Sequence, residues 1–369
     1  MHLKELQLRQ FKNHKDSKFS FNEQIICFVG NNGAGKTNIL DAIHYLSQTK
    51  SYFNHIDSQN IQFDKDYFML KGIFKKDEND DEIQCNISIE KGKSIKYNQK
   101  KYKRFSEHIG KFPIVIISPT DSNLILEGSD VRRKYLDSSI AQYKRSYLQI
   151  LIQHNKTLKQ RNSLLKQFSE GNYFDQITLD AFDTPLRELA NIIHTERTEF
   201  LKNLVPVFNK YYTDISGGKE KVDLNFKSQL TNQDYKQLLK ESLYQDRASN
   251  YTQYGIHKDD IIFEMNDHPI KKIGSQGQQK SFLIALKLAQ FEFIKKQTGF
   301  KPILLLDDIF DKLDDQRVLK LITLVNENVF GQVFITDTHK ERINNILNKA
   351  QIPYNIFFIE NGKLVNEKR

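Results

Sequence analysis

The sequence predicts an α/β protein interrupted by a mainly helical insertion. Short apolar or alternating runs fill the first 120 residues, apolar residues recur at helical spacing from Val131 to Tyr212, and helix and strand patterns alternate from Ile261 onward. Such alternation implies a mostly parallel sheet. The chain has 369 residues, with 55 Lys plus Arg against 46 Asp plus Glu, a formal charge of +9. That length suggests two or three units with a sizeable core. The modest positive excess fits an anionic partner and a solvated Lys-rich surface equally well. No run approaches the ~18 apolar residues of a membrane-spanning helix. Met1-His2-Leu3-Lys4-Glu5-Leu6 puts charges where the apolar stretch of a signal peptide lies, so a cytoplasmic protein without membrane partners is expected. Cys27 and Cys85 are too few and too far apart for a metal site or a disulfide framework, and are predicted to be reduced core residues.

Strands are predicted at Leu3–Phe11, Gln24–Val29, Tyr67–Phe74, Ile83–Ile89 and Ser94–Tyr102, with the charged run Lys75 to Glu82 as an exposed hairpin tip. A helix from Lys36 to Leu46 places Ile39, Leu40, Ile43 and Leu46 on one face. A buried strand, Phe112 to Ile117, ends at Ser118-Pro119. In the insertion the longest candidate helix, residues 131–168, would extend about 55 Å, and its heptad register does not persist. This describes an arm, not a long coiled coil. A strand at Val222–Phe226 and a helix near Asp234–Tyr244 complete it. The last third reads as strand Ile261–Met265, helix Gln278–Lys296, strand Ile303–Leu306, helix Gln316–Val325, strand Gln332–Thr336 and a β pair beyond Pro353. The expected boundaries are 1–120, 121–252 and 253–369.

Gly30-Asn31-Asn32-Gly33-Ala34-Gly35-Lys36-Thr37 matches the phosphate-binding loop G-x-x-x-x-G-K-[ST] between a buried strand and a helix. The glycines allow backbone N–H groups to wrap phosphates at the helix start, Lys36 reaches the β and γ oxygens, and the Thr37 hydroxyl ligates Mg²⁺. ATP or GTP with Mg²⁺ is therefore expected. Ile303-Leu304-Leu305-Leu306-Asp307-Asp308 ends an apolar strand with two carboxylates. Asp307 is placed to hold the Mg²⁺ shell, and Asp308 to orient water, with Lys36 as the other catalytic group. Asp308 is one methylene shorter than the Glu usual in related ATPases, so hydrolysis is expected to be slow. Ser275-Gln276-Gly277-Gln278-Gln279-Lys280 opens an amphipathic helix: an anion site built from Ser275, Gly277 and Gln278, or an ordinary cap.

With these three elements in this order, the chain resembles an ABC-type ATPase head, and more narrowly the RecF family, bacterial recombination and gap-repair ATPases related to SMC heads. The phosphate loop runs into Asn38-Ile39-Leu40-Asp41-Ala42-Ile43, the signature reads Ser275-x-Gly277-Gln278-Gln279-Lys280, and Asp307-Asp308 stands in place of Asp-Glu. Ser118-Pro119-x-Asp121, Gly128-x-x-x-Arg132-Arg133-x-x-Leu136-Asp137 and Tyr254-Gly255-x-His257-x-Asp259-Asp260 complete the likeness. Two segments depart or are loose. Asp311-Lys312-Leu313-Asp314 replaces S-x-L-D, and His339 stands near a γ-phosphate sensor position, or is a surface histidine beside a capping Thr338.

The resemblance implies an ABC-type head, a mixed sheet carrying the phosphate loop and an antiparallel β subdomain, with the helical arm inserted. It further implies an ATP-dependent homodimer in which Ser275 and Gly277 of one subunit cap the γ-phosphate held by Lys36 and Thr37 of the other. The implied ligand is double-stranded DNA near single-strand gaps, and the implied partners are RecR with RecO, which place RecA there. Between Val131 and Phe168 nine Lys or Arg face one acid, Asp137. Arg132, Arg133, Lys156, Lys159 and Arg161 are candidate phosphate-backbone contacts, or one solvated helix surface. An SMC-like DNA tether is the alternative, against which the short arm argues; a transporter ATPase would carry L-S-G-G-Q and the catalytic Glu, both absent.

Overall fold

The computed structural model describes residues 1–309, 317, 330–350 and 353–368. Contacts divide the chain into one unit of residues 1–122, 210–219 and 275–369, and a second of residues 123–209 and 220–274.

In the first unit, β1 (His2–Phe11) turns Leu3, Leu6, Leu8 and Phe11 inward, a bulge between Leu3 and Glu5 resetting the alternation. β2 (His14–Ser20) pairs with it, and β3 (Ile25–Val29) leads to helix α1 (Lys36–Gln48). β4 (Tyr67–Lys76), β5 (Asn79–Ser88), β6 (Gly92–Tyr97) and β7 (Lys100–Lys101) complete an antiparallel sheet in the order β2-β1-β4-β5-β6-β7. β2 was not expected from the sequence. It is an edge strand whose outward positions are charged or polar, so only His14, Ser17 and Phe19 report burial. The expected hairpin tip at Lys75–Glu82 shrinks to Asp77-Glu78, because Lys75 pairs across the ladder with Asp80 and opposite charges face each other. β8 (Ile114–Ile117) is buried throughout.

The second unit holds α2 (Ser129–Ala141), α3 (Arg145–Glu170) and α4 (Gln176–Ser216) up to residue 209, then β9 (Val222–Lys227), α5 (Tyr235–Ser249), β10 (Asp260–Met265) and β11 (His268–Pro269). The helix expected over 131–168 is broken at Gln142–Lys144. No Gly or Pro signals the break. It sits where Lys144 pairs with Glu196, distant in sequence, at 2.6 Å, and where the Tyr147 hydroxyl donates across the break to Asp137. The longest described helix is instead α4, 41 residues with Pro185 and Pro206 inside it, roughly 60 Å at 1.5 Å per residue. β9, β10 and β11 form an antiparallel sheet in the order β11-β10-β9.

Back in the first unit, α6 (Gln276–Thr298), β12 (Ile303–Asp307), β13 (Val333–Asp337), α7 (Lys340–Ala350), β14 (Tyr354–Glu360) and β15 (Lys363–Lys368) follow. The second sheet runs β15-β14-β3-β13-β12-β8, parallel except for the β14–β15 hairpin. β3, β8, β12 and β13 are buried at every position, as strands covered on both faces are. A core of Leu3, Phe28, Ile43, Leu70, Phe334 and Phe357 joins the antiparallel sheet, α1 and the parallel sheet. Cys27 and Cys85 are buried and free within this unit. The helix expected near 316–325 and the Asp311–Asp314 segment lie outside the described residues. Among the described residues no helix is long and apolar enough to cross a membrane.

Candidate nucleotide site

β3 delivers the chain to Gly30, and the loop closes into α1 at Lys36. A side chain at Gly30 would place its Cβ 2.2 Å from the Ile359 carbonyl oxygen, so only glycine lets the loop lie against β14. Gly35 has φ +110°, a conformation that favours glycine, and a Cβ there would approach Asn13 to 2.7 Å. Asn13, in the β1–β2 turn, and His14, which opens β2, brace this loop. Asn13 Nδ2 donates to Gly33 O at 3.2 Å, and His14 Nε2 lies 3.0 Å from Gly35 O. Neither residue is legible as a site residue from its own segment, since the contact is set by sheet topology.

Lys36 Nζ donates to Gly30 O at 2.6 Å and Asn31 O at 2.9 Å, holding the ammonium over the loop. Burial pushes its pKa down, while Asp308, Asp307 and Asp337 oppose that shift. Thr37 Oγ1 donates to Asp307 Oδ1 at 2.8 Å, which joins the loop to the end of β12. Thr336 Oγ1 donates to the same oxygen at 2.8 Å and accepts from Asp308 N at 3.0 Å. Thr336 was missed in the sequence because only the register Asp307↔Thr336 reveals it. Burial raises the Asp307 pKa, and the Thr37 and Thr336 hydroxyls counter it.

Asp337, fully buried beyond Thr336, accepts three bonds from the Arg342 guanidinium at 2.8 to 3.1 Å and one from His339 N at 2.7 Å. The Asp337 carboxylate thus holds the chain as it enters α7, and His339 is exposed. Ser275 forms a reciprocal capping box: its Oγ accepts from Gln278 N at 3.3 Å and its N donates to Gln278 Oε1 at 2.8 Å. Both bonds close on the first turn of α6. Gly277 lies beside Arg317, whose Nη1 would be 3.0 Å from an added Cβ.

The arm candidates divide. Arg161 is fully buried, donating to Asp183 at 2.5 Å, Asp246 at 2.7 Å and Thr252 at 2.9 Å, so it is a structural ion in the second unit and not a surface contact. Arg132 is committed to Asp260 by two bonds of 2.7 and 3.0 Å, and Arg133 donates to Asp259 O at 2.8 Å. Lys156 and Lys159 are exposed on α3.

Thr37 and Asp307 present hard oxygens to one point, which suits Mg²⁺. Among the described residues no group of three or more His, Cys, Asp or Glu could hold a metal ion.

The family description RecF/RecN/SMC N terminal domain matches residues 2–364. The DNA replication and repair protein RecF of Flavobacterium johnsoniae is 50% identical over 357 residues, covering 97% of this chain and 99% of its own. The protein of the same name from Phocaeicola vulgatus is 43% identical over 370 residues, covering 100% and 99%. A solved structure of the recombination mediator protein RecF-ATP in the RecFOR pathway superposes with TM-score 0.89 at 33% identity, covering 100% of this chain and 98% of that one. An Smc head bound to the C-winged helix domain of ScpA shares the fold at TM-score 0.60 and 16% identity. The mixed sheet, the phosphate loop and these likenesses along the whole chain agree, and the chain belongs to the RecF family.

Proposed function

We propose that this protein acts in DNA replication and repair as an ATP-switched, DNA-binding homodimer that marks single-strand gaps for RecR, RecO and RecA. The observation that carries the nucleotide reading is the 2.8 Å bond from Thr37 to Asp307, which sets the hydroxyl of the loop against a carboxylate at the end of β12, one strand beyond β13. Gly30 to Thr37 hold the phosphates, Lys36 neutralises their terminal charge, and Thr37 with Asp307 holds Mg²⁺. When bound, the metal offsets charge on the phosphate oxygens. Asp308 orients water for slow hydrolysis, and Thr336 fixes the Asp308 amide that sets its backbone. Ser275, Gly277 and Gln278 of a second copy close the site, so ATP favours the dimer because it contacts both halves only there. Residues 123–209 and 220–274 serve as the arm inserted in the head sequence.

The test is equilibrium binding to gapped and intact duplex with ATP, ADP and no nucleotide, alongside sedimentation. ATP should raise both self-association and affinity for gapped DNA, and Lys36→Ala should remove both effects. A wild-type monomer that binds DNA equally in all three states would overturn the switch.

A further inference from the structure

We propose that the solvent face of the antiparallel sheet, at its β6–β7 end, binds the phosphate backbone of nucleic acid. The inference rests on the DNA-binding reading above but assigns contacts to the sheet, beyond the helical arm. The register places one residue from each strand in a single row: Lys18 opposite Gln7, Gln7 opposite Lys71, Lys71 opposite Gln84, Gln84 opposite Lys96, and Lys96 opposite Lys101. Residues opposite one another share a face, and the alternation of β5, with Ile83, Cys85 and Ile87 buried, puts Gln84 and its row on the other side. With strands ~4.8 Å apart the row spans roughly 24 Å, about seven base pairs of duplex at 3.4 Å each.

Charge is unevenly answered along this row. At the β2 end Lys18 lies 3.3 Å from Glu5, Arg9 lies 3.2 Å from Asp16, and in the middle Lys71 lies 2.6 Å from Glu82. The nearby acids of β5 are likewise engaged: Asp80 by Lys4, and Asp81 by the Tyr97 hydroxyl and Asn98. At the other end Lys96 faces Gln84 on one side and Lys101 on the other, with no acid in the row. Exposed Lys100 precedes Lys101, and exposed Lys103 and Arg104 come soon after it. Lysine on an edge strand blocks edge pairing, but on β2, the opposite edge, the row's lysine, Lys18, is paired with Glu5. Two lysines directly across a ladder destabilise the sheet. Asn98 and Gln99, at φ +46° and +66°, make the tight turn that fixes them there. An anionic polymer removes that repulsion. Lys and Gln alone fill the row, so it offers neither the apolar centre of a protein interface nor anything to insert in a membrane. Sequence-independent contact with phosphates fits this chemistry.

The test is binding of a fluorescent duplex to the full-length protein with ATP across a salt series, for wild type, Lys96→Glu/Lys101→Glu, and a charge-matched control, Lys15→Glu/Lys65→Glu, altered at exposed lysines outside the row. The row variant should bind at least about tenfold more weakly, with a log–log salt slope shallower by about two, while the control stays near wild type. Unchanged ATP affinity in both variants verifies the fold. Equal affinity and slope in the row variant, or equal losses in both variants, would overturn the proposal. Loss of binding to poly-glutamate with duplex affinity intact would also overturn it, in favour of an acidic protein partner. A wild type that binds no duplex removes the DNA reading itself, whereas a binding wild type with an indifferent row variant removes only this surface.

Discussion

Lys287 Nζ lies 2.7 Å from Asp121 Oδ1, with the two side chains only 6% and 2% exposed. The Tyr52 hydroxyl donates to the same carboxylate oxygen, and Ser118 N donates to Asp121 Oδ2 at 2.8 Å. Tyr52 N in turn donates to Asp41 Oδ1 at 2.7 Å, and Lys12 Nζ reaches Asp41 Oδ2 at 2.6 Å. Buried charge thus links α1, which opens at the phosphate loop, to α6, which opens at Ser275.

Removing one member of such a buried pair leaves the other uncompensated. Lys287→Met should destabilise the protein by about 3–5 kcal/mol, and Asp121→Asn added to it should recover part of that loss. Chemical denaturation of the single and double variants checks this. Strictly additive losses would show that the two residues do not act as a pair.

Asp307→Asn keeps an oxygen for the Thr37 and Thr336 hydroxyls but removes the charge that suits magnesium. Nucleotide affinity with Mg²⁺ is expected to fall about 10–100-fold, while affinity in excess chelator stays near wild type. Titration calorimetry under both conditions separates a metal ligand from a scaffold residue, which would lower both affinities together.

Arg161→Ala strands Asp183 and Asp246 inside the second unit, at a cost of about 3–5 kcal/mol. Arg161→Lys should rescue little, because one ammonium cannot reproduce the forked donation to two carboxylates and Thr252. The readout is a lowered melting temperature. A melting curve matching wild type, with weakened DNA binding, would return Arg161 to the surface.

Burial lowers the pKa of His44, His108, His154 and His257 from 6.5 to about 4. The unfolded chain therefore takes up protons first. Their contribution to stability is complete above pH 6.5 and is lost as pH falls from there towards about 4. The melting temperature should drop across that window, and His108→Phe should flatten the drop relative to its own value at neutral pH. An unaltered slope would place the acid sensitivity in the other three.

The parts of the fold read correctly from sequence are those whose signal is local. β3, β12 and the first three residues of β13 are apolar at nearly every position because both faces are covered, and the phosphate loop spells its own backbone requirements in glycine. What escaped depends on residues far apart in the chain. The break before Arg145 answers to Glu196, and the role of Thr336 answers to strand order. The brace of Asn13 and His14 answers to a turn packed on Gly33 and Gly35. Arg161 shows the same limit from the other side, since a helical charge pattern does not tell which guanidinium finds carboxylates indoors.

Asp308 has φ +47°. Aspartate enters that left-handed region far more readily than most side chains with a Cβ, its short carboxylate bonding locally. A swap to glutamate would therefore lengthen the acid and at the same time ask the main chain for a twist it resists. The short acid at this bend is a joint solution: geometry of the peptide and reach of the carboxylate are chosen by one codon, and neither can be retuned without disturbing the other.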